Sequence, residues 1–493
     1  MKPTIVFEGR REDPEVFFER VLRSAAALQR LGIGEGSVVA LMLRNSPLAL
    51  ELMLAARWLG AYWCPVNWHF KSDELRHILA DCGATLFVAE ADLLEALGDV
   101  APAGVAVFCA APSPAFEAWP PLRDATPPLA EPARPTRGPM LYTSGTTGRP
   151  KGIRRQPPTE AQIAAAQHKM RQVIGAAPGM RALVSAPLYH SAPNGYVISA
   201  AQQPDALLVL EARFDAEATL ALIEQHRLTH AYLVPTMYVR LLRLPDEVKR
   251  RHDLSSMRFV ASTGSPCPAD VKRAMIDWWG PVIHEAYGSS ELGYMTLLDS
   301  RDALRKPGAA GRALDGVQLR ILDDAGRELP PGRPGRIFVR QHALTEFSYV
   351  GNDTARREME VDGHLTMGDV GYLDGEGFLF IVDRASDMVI SGGVNIYPAE
   401  IEAVLQAMPG VADCAVFGIP DAEFGEGLAA AVQCVPGVAL AAADVQAFLK
   451  ARLAGYKVPS MITFHAELPR EDTGKIFKRL LRAPYWQGTG RSI

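Results

Sequence analysis

Three stretches of the chain repeat one order of elements: a short apolar strand, a helix and a second short apolar strand. The pattern occupies residues 38–66, 206–234 and 258–285. Because a helical connection lets the second strand run parallel to the first, repeated units of this kind predict parallel sheets covered by helices. Ligands of such folds bind beyond the carboxyl ends of the strands. The order therefore predicts an α/β fold with its site at that edge.

The chain of 493 residues is longer than one domain of about 100–200 residues, so more than one core is expected. Between residues 308 and 383 the pattern changes to short alternating strands with glycine turns, which predicts a small β-subdomain. The stretch 111–137 is rich in proline and alanine and predicts a surface connection. We expect a large N-terminal domain over residues 1–383, built of βαβ sheets plus the β-subdomain.

The last part of the chain, residues 384–493, predicts a separate α+β domain. Its first helix carries Pro398 at its start, a position where the missing N–H would have no helical partner. The expected elements are helices at 398–405 and 443–453 and strands at 413–418, 428–435 and 461–465.

Composition limits the classes of function. The net charge of −5 provides no basic surface, so nucleic acid is not expected as a partner. The six cysteines are scattered without a C-x-x-C pair, which argues against a zinc site or a disulfide scaffold and fits a reducing cytoplasm. No apolar signal core opens the sequence, and no run of about 18 apolar residues could span a membrane.

A polyphosphate-binding loop is predicted directly after a strand-like segment. Twelve positions, 141–152, hold four Ser or Thr hydroxyls, three glycines and a lysine. Glycines let backbone N–H groups converge, hydroxyls add donors, and the lysine adds positive charge. The spacing is not that of a Walker A loop, and Pro150 prevents a helix from starting there with free N–H groups. The candidate phosphate-binding residues are Thr143, Ser144, Gly145, Thr146, Thr147, Gly148 and Lys151.

Three further blocks carry polar groups suited to a nucleotide. Residues 287–291 follow an apolar strand-like segment and combine an aromatic ring, a tight turn, two hydroxyls and a carboxylate. The second block comprises 368–372, 383–387 and 391–398, and the third is 468–475. Together with the loop, these blocks resemble in order and spacing the adenylate-forming superfamily of acyl-CoA synthetases, luciferases and peptide-synthetase adenylation domains. The resemblance covers nearly the whole chain.

The resemblance implies an enzyme that activates a carboxylic acid with ATP and Mg²⁺ and transfers the acyl group to coenzyme A. A carboxylate is a poor electrophile, whereas its mixed anhydride with AMP has a good leaving group. Charge develops at the α-phosphorus in the first step, so hydroxyl donors, a metal ion and a mobile cation are needed. The implied partners are a small carboxylic acid, ATP and coenzyme A. The sequence leaves the oligomeric state open, a homodimer included.

The resemblance also implies roles for residues at the nucleotide. Glu291 is expected to bind Mg²⁺ together with Thr143, and Ser290 stands where threonine more usually contacts the α-phosphate. Asp369 corresponds to the aspartate that accepts both ribose hydroxyls, a role that needs an ionised acceptor. Arg384 corresponds to an arginine that contacts ribose and phosphate.

Adenine is expected to stack on Tyr287, with residues 264–266 as the opposite wall. Residues 391–393 would line a narrow passage for the pantetheine arm of coenzyme A, where glycine permits close approach to the backbone. The further implied contacts of the nucleotide and coenzyme A are Gly264, Ser265, Pro266, Glu285, Ala286, Gly288, Ser391, Gly392 and Gly393.

Lys475 corresponds to the catalytic lysine that bridges the α-phosphate and the substrate carboxylate. Because it lies in the small domain, the resemblance implies that residues 384–493 are mobile, closing for adenylation and then rotating for thiol attack. Ser386 stands at the hinge, where the family has aspartate or lysine, and this difference leaves the motion of this chain open.

In the acyl site, His190 resembles the histidine beside the incoming carboxylate; residues 187–193 are called here the gate segment. No acidic residue follows His190 in this segment, which disfavours an α-amino acid whose ammonium would need a partner. No tryptophan is present there to restrict the site to acetate. The lining is largely apolar and favours a medium- or long-chain fatty acid or an aromatic acid. It comprises His190, Gly195, Val234, Met237, Thr263, Gly293 and Tyr294.

Three alternatives stay open at this point: an acyl-AMP ligase that loads a carrier protein, a non-catalytic adenylate-binding sensor, and a luciferase-like oxidase. Retention of Glu291, Asp369, Arg384 and Lys475 argues against the sensor. The oxidase shares every block, so the sequence does not separate it from a synthetase.

Overall fold

The computed structural model of the protein describes residues 2–143, 150–384, 387–391, 394–421, 424–470 and 476–487, without the side chains of Arg384 and Asn395. The first part of the chain contains β1 (Thr4–Phe7), β2 (Arg10–Glu12), α1 (Pro14–Arg30), β3 (Val38–Met42), α2 (Pro47–Trp58), β4 (Tyr62–Pro65), α3 (Ser72–Cys82), β5 (Leu86–Ala89), α4 (Ala91–Leu97), β6 (Ala106–Cys109), α5 (Trp119–Asp124) and β7 (Leu141–Thr143). Strands β4, β3, β5 and β6 form, in that order, a parallel sheet.

Local signals explain where these helices begin. The Asp13 carboxylate accepts the backbone N–H groups of Glu15 and Val16 at the start of α1. The Ser46 hydroxyl accepts the N–H of Ala49 at the start of α2, and both helices have proline in the first turn. Such caps satisfy N–H groups that have no partner within the helix.

The central part of the chain builds the largest sheet. Its elements are β8 (Lys151–Arg155), α6 (Glu160–Ile174), β9 (Arg181–Val184), α7 (Ser191–Ala201), β10 (Leu207–Leu210), α8 (Ala216–His226), β11 (His230–Tyr232), α9 (Pro235–Leu242), α10 (Asp246–Arg251), β12 (Phe259–Ser262), α11 (Ala269–Trp279), β13 (Ile283–Ser289), β14 (Gly293–Leu298), α12 (Ser300–Arg305) and β15 (Arg312–Ala313). The nine strands are ordered β15-β14-β13-β12-β11-β9-β10-β1-β2, and the run from β13 to β1 is parallel. The predicted βαβ alternation is confirmed.

The next part is antiparallel. It contains β16 (Val317–Leu322), β17 (Gly335–Gln341), β18 (Phe347–Tyr349), α13 (Asp353–Arg357), β19 (Glu360–Val361), β20 (His364–Leu365), β21 (Asp369–Leu373) and β22 (Leu379–Arg384). All of these strands except β18 form one sheet, as expected for the β-subdomain. Strand β18 pairs instead with β8, which pairs with β7 in a separate three-stranded sheet.

The C-terminal part has the α+β pattern that the sequence predicts. It contains β23 (Val389–Ser391), β24 (Val394–Ile396), α14 (Pro398–Gln406), β25 (Val411–Asp421), β26 (Gly425–Cys434), α15 (Ala442–Lys450), a 3₁₀ turn (Gly455–Lys457), β27 (Met461–His465) and α16 (Lys478–Trp486). Ile401, Leu405, Val416, Val445 and Leu449 are buried together in its core. The large apolar cluster of the rest of the chain draws on residues from Ile5 to Leu379.

The expectation of a surface connection over residues 111–137 is wrong for its middle. Trp119 is fully buried, and its indole N–H donates to the Ser24 hydroxyl at 3.0 Å. Arg123 reaches the fully buried carboxylate of Glu51 at 3.1 Å. A buried carboxylate needs such a charged partner, so this segment helps to hold α1 and α2 together.

The sequence also predicts no membrane-spanning segment and no disulfide scaffold. Along the described ranges, no helix is long and apolar enough to cross a membrane. All six cysteines are free thiols, and five of them are buried.

Candidate functional site

The hairpin between β13 and β14 places Glu291 in a buried polar cluster. Its Oε1 accepts hydrogen bonds from the Thr143 hydroxyl and the Tyr349 hydroxyl, each 3.2 Å long. The Lys151 ammonium lies 5.4 Å from the centre of the Tyr349 ring. Strands β7, β8 and β18 carry these three residues side by side to the hairpin. A buried carboxylate, a hydroxyl and a nearby cation thus meet where the phosphate loop begins and ends.

Arg155 holds this hairpin in place. Its Nη2 donates to the backbone carbonyl oxygens of Ser290 at 2.7 Å and Glu291 at 2.6 Å. Burial lowers the pKa of Arg155 to about 10, so the guanidinium stays charged near neutral pH. Sequence reasoning missed this residue. The available signal was its position on β8, two residues from Ile153 and four from Lys151, which puts it on their face of the strand.

The gate segment lies beside the same hairpin. The Ser290 hydroxyl donates to the Ser191 hydroxyl at 3.0 Å. His190 caps the start of α7, and its ring centre is 4.3 Å from that of Tyr189. Trp68 packs edge-on against Tyr189 at 4.6 Å. The structure therefore brings Ser290, expected at the α-phosphate, into contact with the residue that follows His190.

Two buried amides fix the backbone of the gate segment. Asn45 donates to the carbonyl oxygen of Ala186 and accepts the N–H of Leu188, both at 3.0 Å. Asn194 donates to the carbonyl oxygen of Leu188 at 2.9 Å and accepts the indole N–H of Trp63 at 3.2 Å. Sequence reasoning missed both amides, because a lone asparagine gives no signal until its partners are known.

The residues expected at adenine and ribose are in contact. The Tyr287 hydroxyl donates to Oδ2 of Asp369 at 2.5 Å, and the Asp369 carboxylate is buried. Asp369 begins β21, where it is paired in register with Arg384 of β22. Three residues that the sequence separates by almost a hundred positions thus lie at one place.

Residues 264–266, expected opposite Tyr287, lie next to a residue that contacts a buried ion pair. Gly264 has a φ of +103°, a conformation that favours glycine, and residues 265 and 266 follow it after β12. Glu285 pairs with Lys272 of α11 and accepts the backbone N–H of Cys267. Burial raises the pKa of Glu285, and Lys272 opposes that effect. Glu285, expected at the nucleotide, is therefore engaged with Lys272, and Ala286 is buried within β13.

Three of the expected acyl-site residues lie just beyond the carboxyl ends of parallel strands. Val234 and Met237 stand at the start of α9, and Thr263 follows β12. All three are buried. Gly293 and Tyr294 open β14, and Gly195 lies in α7 behind the gate segment.

Comparison with known proteins places the chain in a family. The family model of AMP-binding enzymes matches residues 2–348, and that of the AMP-binding enzyme C-terminal domain matches residues 400–475. The chain belongs to the AMP-binding enzymes. The resemblance carried by the four sequence blocks is thereby confirmed.

Relatives within the family match nearly end to end. The chain is similar to a feruloyl-CoA synthase of an Amycolatopsis species, with 35% identity over 464 residues, 94% of this chain and 92% of that protein. It is also similar to the indoleacetate–CoA ligase of Aromatoleum aromaticum, with 35% identity over 93% of this chain and 90% of that protein. The crystal structure of ATP-bound MatB from Rhodopseudomonas palustris superposes with a TM-score of 0.87 at 30% identity, covering 99% of this chain and 97% of that one.

The structure describes only one of the three residues expected to border the pantetheine passage. Ser391 ends β23, paired with Val394. Outside the described residues lie Ser144, Gly145, Thr146, Thr147, Gly148, Ser386, Gly392, Gly393 and Lys475, and the side chain of Arg384.

Proposed function

We propose that the protein is an ATP-dependent acyl-CoA synthetase. In the first half-reaction a carboxylate oxygen attacks the α-phosphorus of ATP and pyrophosphate leaves. In the second, the thiol of coenzyme A attacks the acyl carbonyl and AMP leaves. The observation that carries this proposal is the buried Glu291 cluster with Thr143 and Lys151, in the turn after β13, the strand that also carries Tyr287 with its Asp369 contact. The relatives named as CoA ligases support the same activity.

The groups around Glu291 suit a magnesium ion that arrives with the nucleotide. In the parts of the chain that are described, no three His, Cys, Asp or Glu side chains are placed to hold a metal by themselves. Mg²⁺ at nucleotide sites is held by one or two carboxylates, with phosphate oxygens and water supplying the other ligands. Glu291 and Thr143 would hold it, and the bound ion would offset charge on the phosphates.

We propose the remaining roles from the resemblance to the family. Ser290 contacts the α-phosphate, and His190 lies beside the incoming carboxylate. Asp369 accepts the ribose hydroxyls and Tyr287 stacks on adenine. Lys475 is the catalytic lysine that stabilises the charge developing between phosphate and carboxylate.

We propose separate roles for the N-terminal and C-terminal domains. Residues 1–383 bind ATP and the acid, and residues 384–493 carry Lys475 and rotate between the half-reactions. Residues 391–393 border the passage for pantetheine. We place the reaction in the cytoplasm, the reducing compartment that suits six free thiols.

The test is a panel of carboxylic acids scored by formation of AMP and acyl-CoA. With the preferred acid, Lys475→Ala should slow adenylation by about 10²-fold or more, because a charge-stabilising contact in the transition state is lost. Thioester formation from supplied acyl-adenylate should survive. The matched control is Lys450→Ala, at an exposed position in the last turn of α15, which should leave both steps unchanged.

Equal loss of both half-reactions in Lys475→Ala would show that the lysine is structural. AMP formation that ignores coenzyme A but requires a carrier protein would replace the synthetase with an acyl-AMP ligase. Product formation that requires oxygen would replace it with an oxidase.

A further inference from the structure

Four buried hydroxyl groups stand near the expected acyl site without a hydrogen-bond partner among the described residues. They belong to Tyr196, Tyr238, Ser262 and Tyr294. A buried hydroxyl left unpaired is destabilising, so native proteins seldom keep several of them without a reason. A ligand that pairs with them would supply the reason.

These hydroxyls belong to the same helices and strands as the residues expected to line the acyl site, or to a strand that ends just before one of them. Tyr196 is in α7, next to Gly195, and Tyr238 is in α9, next to Met237. Ser262 ends β12 and Tyr294 is in β14. Burial raises the pKa of Tyr238, and the Ser262 hydroxyl lies close enough to oppose that rise. The distance or angle between the two hydroxyls is nevertheless outside the range of a normal hydrogen bond.

Open space lies at Gly195, which precedes Tyr196 in α7. A Cβ atom added at Gly195 would meet no other heavy atom within 4 Å. Tyr196 itself packs against a second aromatic side chain, and the ring centres of Tyr196 and Tyr232 are 5.8 Å apart. The Tyr294 side chain is only partly buried, although its hydroxyl is. The expected acyl site thus has room at Gly195 and carries a buried hydroxyl on the next residue of α7.

The region behind Tyr294 is also polar. The buried ammonium of Lys169 in α6 donates to the backbone oxygen of Tyr294 at 3.4 Å and to the side chain of Gln341. Gln341 in turn donates to the backbone oxygen of Leu292. Burial, with no carboxylate among the described residues to oppose it, lowers the pKa of Lys169 to about 8. Polar contacts therefore hold the backbone of the β13–β14 hairpin in place on both sides of Gly293.

We infer that the hydroxyls of Tyr196, Tyr238, Ser262 and Tyr294 select an aromatic carboxylic acid. Its ring would carry an oxygen substituent, such as a phenolic hydroxyl, at the end remote from the carboxylate. The inference rests on the proposed function. Hydroxyls both donate and accept, so they can pair with a phenol, and the tyrosine rings can pack on a flat ring. A saturated chain would bury the same hydroxyls unpaired, and a site built to pair a substrate hydroxyl discriminates strongly against an analogue without one. Of the two acid classes that the sequence left open, this favours the aromatic one.

The test compares matched acids that differ by one oxygen. We would measure kcat/KM for acyl-CoA formation with 4-hydroxycinnamic and cinnamic acids, with 3-(4-hydroxyphenyl)propanoic and 3-phenylpropanoic acids, and with octanoic acid. The hydroxylated member of each pair should be preferred by about 10-fold or more, the effect of roughly one well-placed hydrogen bond. Octanoic acid should be the poorest substrate.

Variants then assign the preference to residues. Tyr294→Phe and Tyr196→Phe should bring the ratio within each pair towards one, chiefly by lowering kcat/KM of the hydroxylated acid. The control Tyr456→Phe, at a side chain 56% exposed, should keep the wild-type ratio. If a phenylalanine variant fails to fold, the same kcat/KM ratios measured for Ser262→Ala provide the test.

The outcomes separate the two proposals. Turnover of the panel with ratios near one, or a preference for octanoic acid, overturns the inference and leaves the acyl-CoA synthetase intact. Unchanged ratios in all three variants overturn the assignment of these hydroxyls. Failure of every acid to give acyl-CoA overturns the proposed function and, with it, this inference.

Discussion

At the scale of single residues, the contact between Tyr287 and Asp369 sets up a direct test of nucleotide binding. Asp369→Ala removes an ionised acceptor for two ribose hydroxyls and should weaken ATP binding by about 1.5–3 kcal/mol, measured by calorimetric titration. Tyr287→Phe keeps the ring and should change ATP affinity much less. If Asp369→Ala left ATP affinity unchanged while the melting temperature collapsed, the carboxylate would be a structural cap of the turn before β21.

A second residue predicts a pH dependence of stability. Glu211 follows β10 and accepts hydrogen bonds from Ser185 and, at 3.1 Å, from Thr219, and burial raises its pKa to about 7. Because this lies above the ordinary value of 4.5, the folded protein holds the proton more tightly. The stabilisation is therefore complete below about pH 4.5 and is lost as the pH rises through about 7.

Glu211→Gln should remove that slope. In urea unfolding, the free energy of unfolding of the wild type relative to Glu211→Gln should fall by about 2–3 kcal/mol between pH 4.5 and pH 8. Glu247→Gln, at an exposed position in α10, is the control and should parallel the wild type at every pH. Parallel curves for wild type and Glu211→Gln would mean that the carboxyl titrates normally.

At the scale of elements, the β13–β14 hairpin leaves no room for a side chain at Gly288. A Cβ atom at Gly288 would lie 2.5 Å from the backbone oxygen of Gly293, so Gly288→Ala must open the hairpin. We expect a loss of about 1–3 kcal/mol in the free energy of unfolding and a fall in ATP-dependent activity, because Glu291 moves with the turn. Gly375→Ala, where an added Cβ meets nothing within 4 Å, is the matched control. Full activity in Gly288→Ala would show that the site tolerates displacement of the hairpin.

The elements themselves were largely predictable from periodicity. Helix α14 was expected at 398–405 and runs over Pro398–Gln406, and β27 was expected at 461–465 and runs over Met461–His465. The prediction failed where burial depends on distant residues. Nothing local distinguishes Trp119 from other residues of a proline-rich stretch, and its burial follows from the position of α1.

At the scale of the whole molecule, the resemblance to the family predicts that residues 384–493 rotate between the two half-reactions. Ser386→Pro would hold φ near about −65° and remove an N–H, restricting the swing between two orientations. Adenylation should remain measurable if the closed form is trapped, and thioester formation should fall far more. Single-turnover assays of each half-reaction, with Ser386→Ala as the flexible control, make the comparison. Two intact rates in Ser386→Pro would mean that the pivot lies elsewhere.

The sequence by itself determined the α/β class, the order of the βαβ units and the four polar blocks of the family, because periodicity, turn chemistry and motif spacing are local properties. Only the tertiary structure decided which distant side chains meet. It set Thr143 and Tyr349 against Glu291, put Arg155 behind the hairpin, and buried the hydroxyls of Tyr196, Tyr238 and Tyr294 away from hydrogen-bond partners among the described residues. Such contacts depend on how the three-stranded and nine-stranded sheets pack, and side-chain partners at that distance leave no trace in local sequence pattern.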